Sequence, residues 1–424
     1  MSGLGVIIAG VIAFTLIVLA LVAVILGAKA TLVPSGNVTI EINGDAEKTL
    51  SVPTGGKLIN TLAEKNIFIP SACGGGGTCG QCKVRVLSGG GEILPTEASV
   101  MTRKEIKNHV RLACQTPVKQ DMKIEIPPEI FSVKKWECTV LSNKSVATFI
   151  KELVLELPEG ESVDFKAGGY VQVERPAGLR IKISDYDIPE TYRQDWIDMK
   201  LWDRESYVAE PISRAYSMAS HPGEKGVIKF NIRFAFPKMV DRPDGKGKYP
   251  DPNAPVGEMS SYLFMLKPGD KITVSGPYGE FFIRENDREK VYIGRGVGMA
   301  PLRSHIFDML TRLGHKEKIS FWYSARTMKE AFYVEDFRKL EEEYPNFTFH
   351  LALYKPRAGV AEDQGHGPTG LIHKVIYEAY LKDHKAPEDC EYFMCGSPDM
   401  TSSVLKVLES LGVERENVFF DDFG

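Results

Sequence analysis

Cysteine is scarce, seven residues in 424, and the odd, scattered count excludes a small scaffold stapled by disulfides. Excess positive charge is absent as well: 52 Lys and Arg face 56 Asp and Glu, and no basic block alternates with aromatics. Nucleic acid is therefore not an expected partner. His305, His350, His366 and His373 lack the spacing of metal ligands. Long apolar runs are missing too, except at the amino terminus.

That exception, residues 4–26, contains no charged residue and is long enough for a bilayer-spanning helix. A cleaved signal peptide competes with this reading, since Ala28-Lys29-Ala30 mimics a small-x-small cleavage site. Against it, no Lys or Arg precedes the run, and the run exceeds the ~7–15 apolar residues of a signal peptide. A retained anchor with Lys29 on its carboxy-terminal flank leaves the remaining chain in the cytoplasm. The rest of the chain is long enough for about two to four domains.

Where cysteine does occur, it clusters. Cys73, Cys79 and Cys82 are separated by five and two residues, and Cys114 follows after another 31. Four thiolates so spaced suit a [2Fe–2S] cluster, and the intervening glycines permit tight turns that aim N–H groups at its sulfurs. Structural zinc is the alternative, but its sites usually pair two close Cys units rather than a triplet and a distant single. The triplet resembles [2Fe–2S] ferredoxins, and its five-residue first gap is similar to the adrenodoxin type.

Val38-Thr-Ile-Glu-Ile and Thr49-Leu-Ser-Val alternate with period two across an Asn43-Gly44-Asp45 turn, as do Lys83-Val-Arg-Val-Leu and Lys123-Ile-Glu-Ile. Leu58, Ile59, Leu62 and Ala63 are spaced for a helix. This order resembles the β-grasp ferredoxin fold, an α+β domain over 36–128 closed by Pro127-Pro128. Residues 97–107 are expected to form an exposed short helix without chemistry.

Over 129–285, alternating segments starting at Glu137, Lys151, Tyr170, Val227 and Lys271 predict a small antiparallel β-barrel. Within it, Arg214-Ala-Tyr216-Ser217 resembles the Arg-x-Tyr-Ser motif of the ferredoxin–NADP⁺ reductase superfamily. The resemblance implies FAD, with Arg214 on its pyrophosphate, Tyr216 against the flavin ring and Ser217 near N5, where hydride arrives. Gly257-Glu-Met-Ser260 opens a short helix whose N–H groups and hydroxyl suit pyrophosphate, and Gly276-Pro-Tyr-Gly279 resembles the next glycine motif of the superfamily. Two insertions interrupt the barrel: 180–210, with Tyr186, Tyr192, Trp196, Trp202 and Tyr207, and 237–255. Their exposed-loop aromatics are assigned to docking with other subunits, with a solvated or self-packed loop as the alternative.

Over 286–424, strands and helices alternate as in an α/β, Rossmann-like domain with a parallel sheet. Strand Val291-Tyr-Ile, the loop Gly294-Arg295-Gly296-Val-Gly298 and a helix beginning near Pro301 form a pyrophosphate cradle. Relatives in the superfamily usually have glycine at the position of Arg295, whose side chain either crowds the loop or adds a phosphate contact. Cys395-Gly396-Ser-Pro398 resembles the family's Cys-Gly-x-Pro motif, which places Cys395 beside the nicotinamide. The terminal Phe423 would stack on the flavin and yield to nicotinamide by the same resemblance. Cys138 and Cys390 are read as structural, and the resemblance favours NADH, although Ser324-Ala-Arg326-Thr-Met-Lys329-Glu330 is mixed in charge.

Nearly the whole chain resembles the family of F subunits of the bacterial sodium-translocating NADH:quinone oxidoreductases. That resemblance implies a single-pass protein of the bacterial inner membrane with membrane partner subunits, quinone as the eventual acceptor and coupled sodium export. The runner-up is the reductase component of a mono- or dioxygenase.

Overall fold

With no proline before Pro34, the amino-terminal run forms one helix, α1 (Gly3–Leu32). The computed structural model describes residues 3–32, 36–242 and 247–422, in two units divided between Val133 and Lys134. Residues 9–25 of α1 are all exposed, and the one hydroxyl in this stretch, Thr15 Oγ, is turned back onto the Val11 carbonyl at 2.8 Å. This stretch rises about 26 Å, short of a ~30 Å hydrocarbon core. Among the described residues no helix is long and apolar enough to cross a membrane, and both ends of the expected 4–26 span fall partly outside the described side chains.

The first unit continues with β1 (Asn37–Ile42), β2 (Asp45–Pro53), α2 (Leu58–Ala63), β3 (Lys83–Ser88), α3 (Pro95–Ala98), α4 (Arg103–Lys107), β4 (Val110–Leu112) and β5 (Met122–Glu125). The sheet order is β2-β1-β5-β3-β4, with only β1 and β5 parallel. Leu58 and Leu62 of α2 pack on Ile40, Val84, Leu112 and Ile124. The expected exposed helix at 97–107 is instead two short helices, and Glu97 is fully buried. Its carboxylate accepts Arg111 Nε and Nη2 at 2.9 and 2.7 Å and the N–H groups of Leu94 and Leu112. Arg111 also donates to the carbonyls of Gly90, Gly91 and Glu92. A lone acidic residue in a polar stretch resembles a solvated one until its strand partner is known.

The second unit begins with β6 (Lys134–Ala147), β7 (Ile150–Glu156), β8 (Tyr170–Arg175), β9 (Arg180–Lys182), α5 (Glu190–Asp198), β10 (Glu205–Tyr207), β11 (Ile212–Ser217), β12 (Val227–Arg233), β13 (Met239–Asp241), β14 (Lys248–Pro250), α6 (Glu258–Met265) and β15 (Lys271–Tyr278). Six of these strands form an antiparallel sheet in the order β11-β8-β15-β6-β7-β12, whose two edges approach one another. The alternation predicts five; the sixth, β11, carries the Arg-x-Tyr-Ser motif and is half-buried along its length without a periodic pattern.

The aromatic residues of insertion 180–210 mostly turn inward. Trp196 is fully buried, with ring centroids 4.8 Å from Phe234, 5.0 Å from Phe149 and 5.6 Å from Phe264, and its Nε1 donates to the Thr148 carbonyl at 2.8 Å. In the second insertion β13 pairs with β14, and Arg204 donates to the carbonyls of Asp251 and Ala254. Trp196 and Tyr186 thus pack within the barrel end, while Tyr207 stays exposed. Apolar area beside an open barrel end is worth more when covered than when left in water.

The remaining elements are β16 (Lys290–Arg295), α7 (Met299–Phe307), β17 (Ile319–Ala325), α8 (Val334–Glu343), β18 (Phe347–Leu353), α9 (Ile372–Ala379), β19 (Glu391–Gly396), α10 (Pro398–Ser410) and β20 (Val418–Asp422). They build an all-parallel sheet in the order β18-β17-β16-β19-β20. His305 on α7 is fully buried, stacked on Phe281 at 4.9 Å, with Nε2 3.0 Å from the Phe281 carbonyl. Burial outweighs that contact and pushes the imidazole down to about 4.

A histidine kept neutral in the folded state contributes stability above its unfolded pKa, near 6.5, and loses it as pH falls toward 4. The expected loss over that window is roughly 3 kcal/mol. Urea unfolding of His305→Gln should show a shallower decline from pH 6.5 to 4 than the parent; an identical slope would assign the decline to other groups.

Candidate functional site

The cysteine loop folds around glycines in the left-handed region, with Gly74 at φ 65°, Gly75 at 91°, Gly77 at 80° and Gly80 at 67°. None of the seven cysteines is in a disulfide. Burial opposes ionisation of Cys73, but the N–H groups and side chains of Cys79 and Thr78 bring its thiol down to about 6. Cys114 is lowered by its bond to the Cys82 thiol and by the Gln115 amide; the same bond, with burial, raises Cys82. Gln115, not singled out in the sequence, donates to the Gly75 carbonyl at 3.2 Å and to Cys114 Sγ at 3.5 Å. A Cβ on Gly77 would lie 2.7 Å from that amide. A thiol donor set with two members easily ionised, inside a loop of N–H groups, fits a [2Fe–2S] cluster held by Cys73, Cys79, Cys82 and Cys114.

On β11, Arg214 Nη1 donates to the Ser213 carbonyl at 2.8 Å and Nη2 lies 3.4 Å from Glu258, leaving most of the guanidinium fork unused. Glu258 begins α6, whose first-turn N–H groups have no partner within the helix. Gly257 is required there by packing, since a Cβ would fall 2.4 Å from the Ala235 Cβ. The Ser260 hydroxyl is buried and engaged inside the protein, accepting the Ala235 N–H at 3.0 Å. Arg214 and the bare helix turn fit a phosphate group; the Ser260 hydroxyl is already committed. Tyr216 packs toward Phe230 at 6.3 Å, and burial pushes its phenol up. Gly276 abuts Val171, while Gly279 has φ 144° and faces Gly169 and Phe282.

Ser217, the last residue of β11, donates to Asp421 Oδ2 at 3.2 Å. Asp421 belongs to β20, a strand that the short stretch Phe419-Phe-Asp-Asp does not announce by alternation. Phe423 lies outside the described residues.

The register of the parallel sheet sets Gly294 beside Cys395. Gly298 then approaches so closely that a Cβ would lie 2.0 Å from the Cys395 carbonyl oxygen. Gly294 leaves room for Leu302, Gly396 for Met400, and Pro301 is buried in α7. Gly296, at φ 56°, faces open space. The Cys395 thiol is fully buried, so its backbone, rather than its sulfur, meets the glycine loop. This open turn backed by fixed carbonyls fits a dinucleotide phosphate chain.

Among the described residues, one other set has metal-ligand chemistry: Glu289, His384 and Cys390. His384 Nε2 lies 3.2 Å from Glu289 Oε2 and 3.8 Å from Cys390 Sγ. Lys318 stands 3.3 Å from the same carboxylate, and the Ala386 N–H donates to His384 Nδ1 at 3.3 Å, which leaves the ring proton on Nε2. Burial and Glu289 push the Cys390 thiol up to about 12. These groups already satisfy one another.

Residues 40–119 match the 2Fe-2S iron-sulfur cluster binding domain family, 203–283 the oxidoreductase FAD-binding domain family and 292–406 the oxidoreductase NAD-binding domain family. The chain is 59% identical over 418 residues to the F subunit of the Na(+)-translocating NADH-quinone reductase of Marinomonas sp. (strain MWYL1), covering 99% of this chain and 98% of that one. The protein of the same name from Pseudomonas aeruginosa is 58% identical over 411 residues, 97% of each chain. Among solved structures, the Amycolatopsis cytochrome P450 reductase GcoB shares the fold at 20% identity and TM-score 0.60, covering 91% of this chain and 98% of that one. The ferredoxin reductase in carbazole 1,9a-dioxygenase does so at 20% identity and TM-score 0.57, covering 92% and 99%.

Gly298→Ala should force the glycine loop off the Cys395 carbonyl. The expected result is a loss of about 1–3 kcal/mol in stability from overpacking and a raised Kd for NAD⁺ in titration calorimetry, with the ferredoxin-like unit's spectrum unchanged.

Proposed function

The chain belongs to the family of F subunits of Na⁺-translocating NADH-quinone reductases, and from that membership we propose that it takes hydride from NADH onto FAD and passes single electrons to its [2Fe–2S] cluster. The observation that carries this reading is the Ser217–Asp421 hydrogen bond, which joins the flavin motif to the edge strand of the nucleotide sheet where the two substrates of a hydride transfer would meet. Bound FAD supplies the change from a two-electron to a one-electron reaction. Arg214 and the first turn of α6 hold its phosphates, and Tyr216 packs against its ring. Asp421 accepts a hydrogen bond from the Ser217 hydroxyl and so fixes the orientation of Oγ. The loop at Gly294, Gly296 and Gly298 receives the dinucleotide, with Cys395 and Gly396 forming its floor. By the family resemblance Phe423 would be the aromatic that shields the flavin ring.

Family membership favours NADH over NADPH, while the loop after β17 is mixed, with Lys329 paired to Asp195 at 2.5 Å and Arg326 exposed. The exposed apolar side chains of α1 and the uncharged span 4–26 support a membrane anchor, with the other domains in the cytoplasm and the electrons leaving to membrane subunits, then quinone, coupled to sodium export. A reductase component of an oxygenase shares the three soluble modules but has no use for such an anchor.

Adding NADH to the purified, cofactor-loaded chain should bleach the flavin band and reduce the cluster; an unchanged spectrum would overturn the reading. Cys79→Ala should remove the cluster signal while flavin reduction by NADH persists. In stopped flow, Ser217→Ala and Asp421→Ala should each slow flavin reduction about tenfold, and the double variant should be no slower than either, since both remove one hydrogen bond.

A further inference from the structure

Arg295 ends β16 between two glycines of the dinucleotide loop. Its guanidinium lies over the Tyr354 ring, 4.3 Å from the centroid, and Nη1 reaches Ser397 Oγ at 3.5 Å. Tyr354 follows β18 and Ser397 follows β19, so one side chain touches the loops on both sides of the ligand edge of a parallel sheet. Gly396 makes this path possible, since a Cβ there would lie 3.2 Å from the Arg295 Cβ. The side chain therefore does not crowd the turn, and Gly296 beside it still faces open space.

A second guanidinium approaches from the barrel. Arg233 ends β12, which packs on the turn at Gly296–Gly298. Its side chain reaches solvent at the strand end, and partial desolvation together with the charge of Arg295 disfavours its cation. Among the described residues neither arginine has a carboxylate within ion-pair distance, whereas Arg303, Arg312 and Arg357 each have one. Two guanidiniums without carboxylate partners, on elements that meet at an open glycine turn, make a positive site that a doubly charged anion would neutralise.

We propose that Arg233 and Arg295 clamp the diphosphate of the incoming dinucleotide from its two sides, one arginine supplied by the barrel and one by the nucleotide domain. The proposal rests on the reading that a nicotinamide dinucleotide enters this cleft. A diphosphate is the fitting anion because Arg295 stands over the middle of the sheet edge, beside the turn, while a 2′-phosphate belongs with Arg326 in the loop after β17. The clamp also needs both domains, so it senses their approach.

The test uses the full chain and its Arg295→Gly, Arg295→Lys and Arg233→Gln variants. Calorimetry should show the Kd for ADP-ribose raised about ten- to a hundredfold in Arg295→Gly and Arg233→Gln, with partial recovery in Arg295→Lys, whose point charge lacks the fork. Flavin reduction by NADH should show the loss in KM, and reduction by dihydronicotinamide riboside, which carries no phosphate, should not share it. Unaltered ADP-ribose binding in both variants would overturn the clamp. So would a loss confined to 2′-phospho-ADP-ribose, or an equal loss with the riboside. Failure of the underlying reading looks different: the parent chain itself would neither bind ADP-ribose nor be reduced by NADH.

Discussion

The nucleotide half of this protein depends on one steric fact: at Gly298 the backbone lies against the Cys395 carbonyl with no room for a β-carbon. The parallel pairing of Gly294 with Cys395 sets this distance, and the positive φ of Gly296 turns the chain away into the open. A phosphate-binding loop needs its own backbone as the ligand surface, so side chains must be absent where the ligand and the next strand approach. The same economy governs the cysteine loop, where Gly77 gives way to the Gln115 amide.

Buried charge orients what glycine leaves loose. Arg111 and Glu97, exposed by 5% and 0%, tie the loop after β3 to the strand leading to Cys114. Lys290 and Glu391 do the same for β16 and β19 at 3.1 Å, both almost wholly buried. Such pairs recover little more than their own desolvation, and their effect is to fix register and direction. The Ser217–Asp421 bond belongs to this group in kind, joining strands that come from different sheets.

What was legible in the sequence were the features whose chemistry permits few residue types. Cys73, Cys79, Cys82 and Cys114 could be read from spacing, and the turn at Gly294 to Gly298 from its setting between a strand and a helix. β11 escaped because Ile212 to Tyr216 are all half-buried, without the alternation that marks a strand against a protein core. The burial of Trp196 and Tyr186 is not legible locally, because a charged neighbourhood says nothing of a barrel end more than 35 residues away, at Phe234 and Phe264. Glu97, Asp421 and Gln115 owe their roles to partners distant in sequence or to a turn, and no local pattern announces them.

The parallel sheet also has two unlike ends. At the carboxyl ends of its strands lie Arg295, Cys395, Asp421 and the glycine turn, which at Gly296 faces open space. At the amino ends lie the Lys290–Glu391 pair and the closed set of Glu289, His384 and Cys390. Because strands transmit position along their length but not chemistry, the lower end is where drift in sequence would be recorded as a change in durability, and the upper end where it would be recorded as a change in taste for substrate.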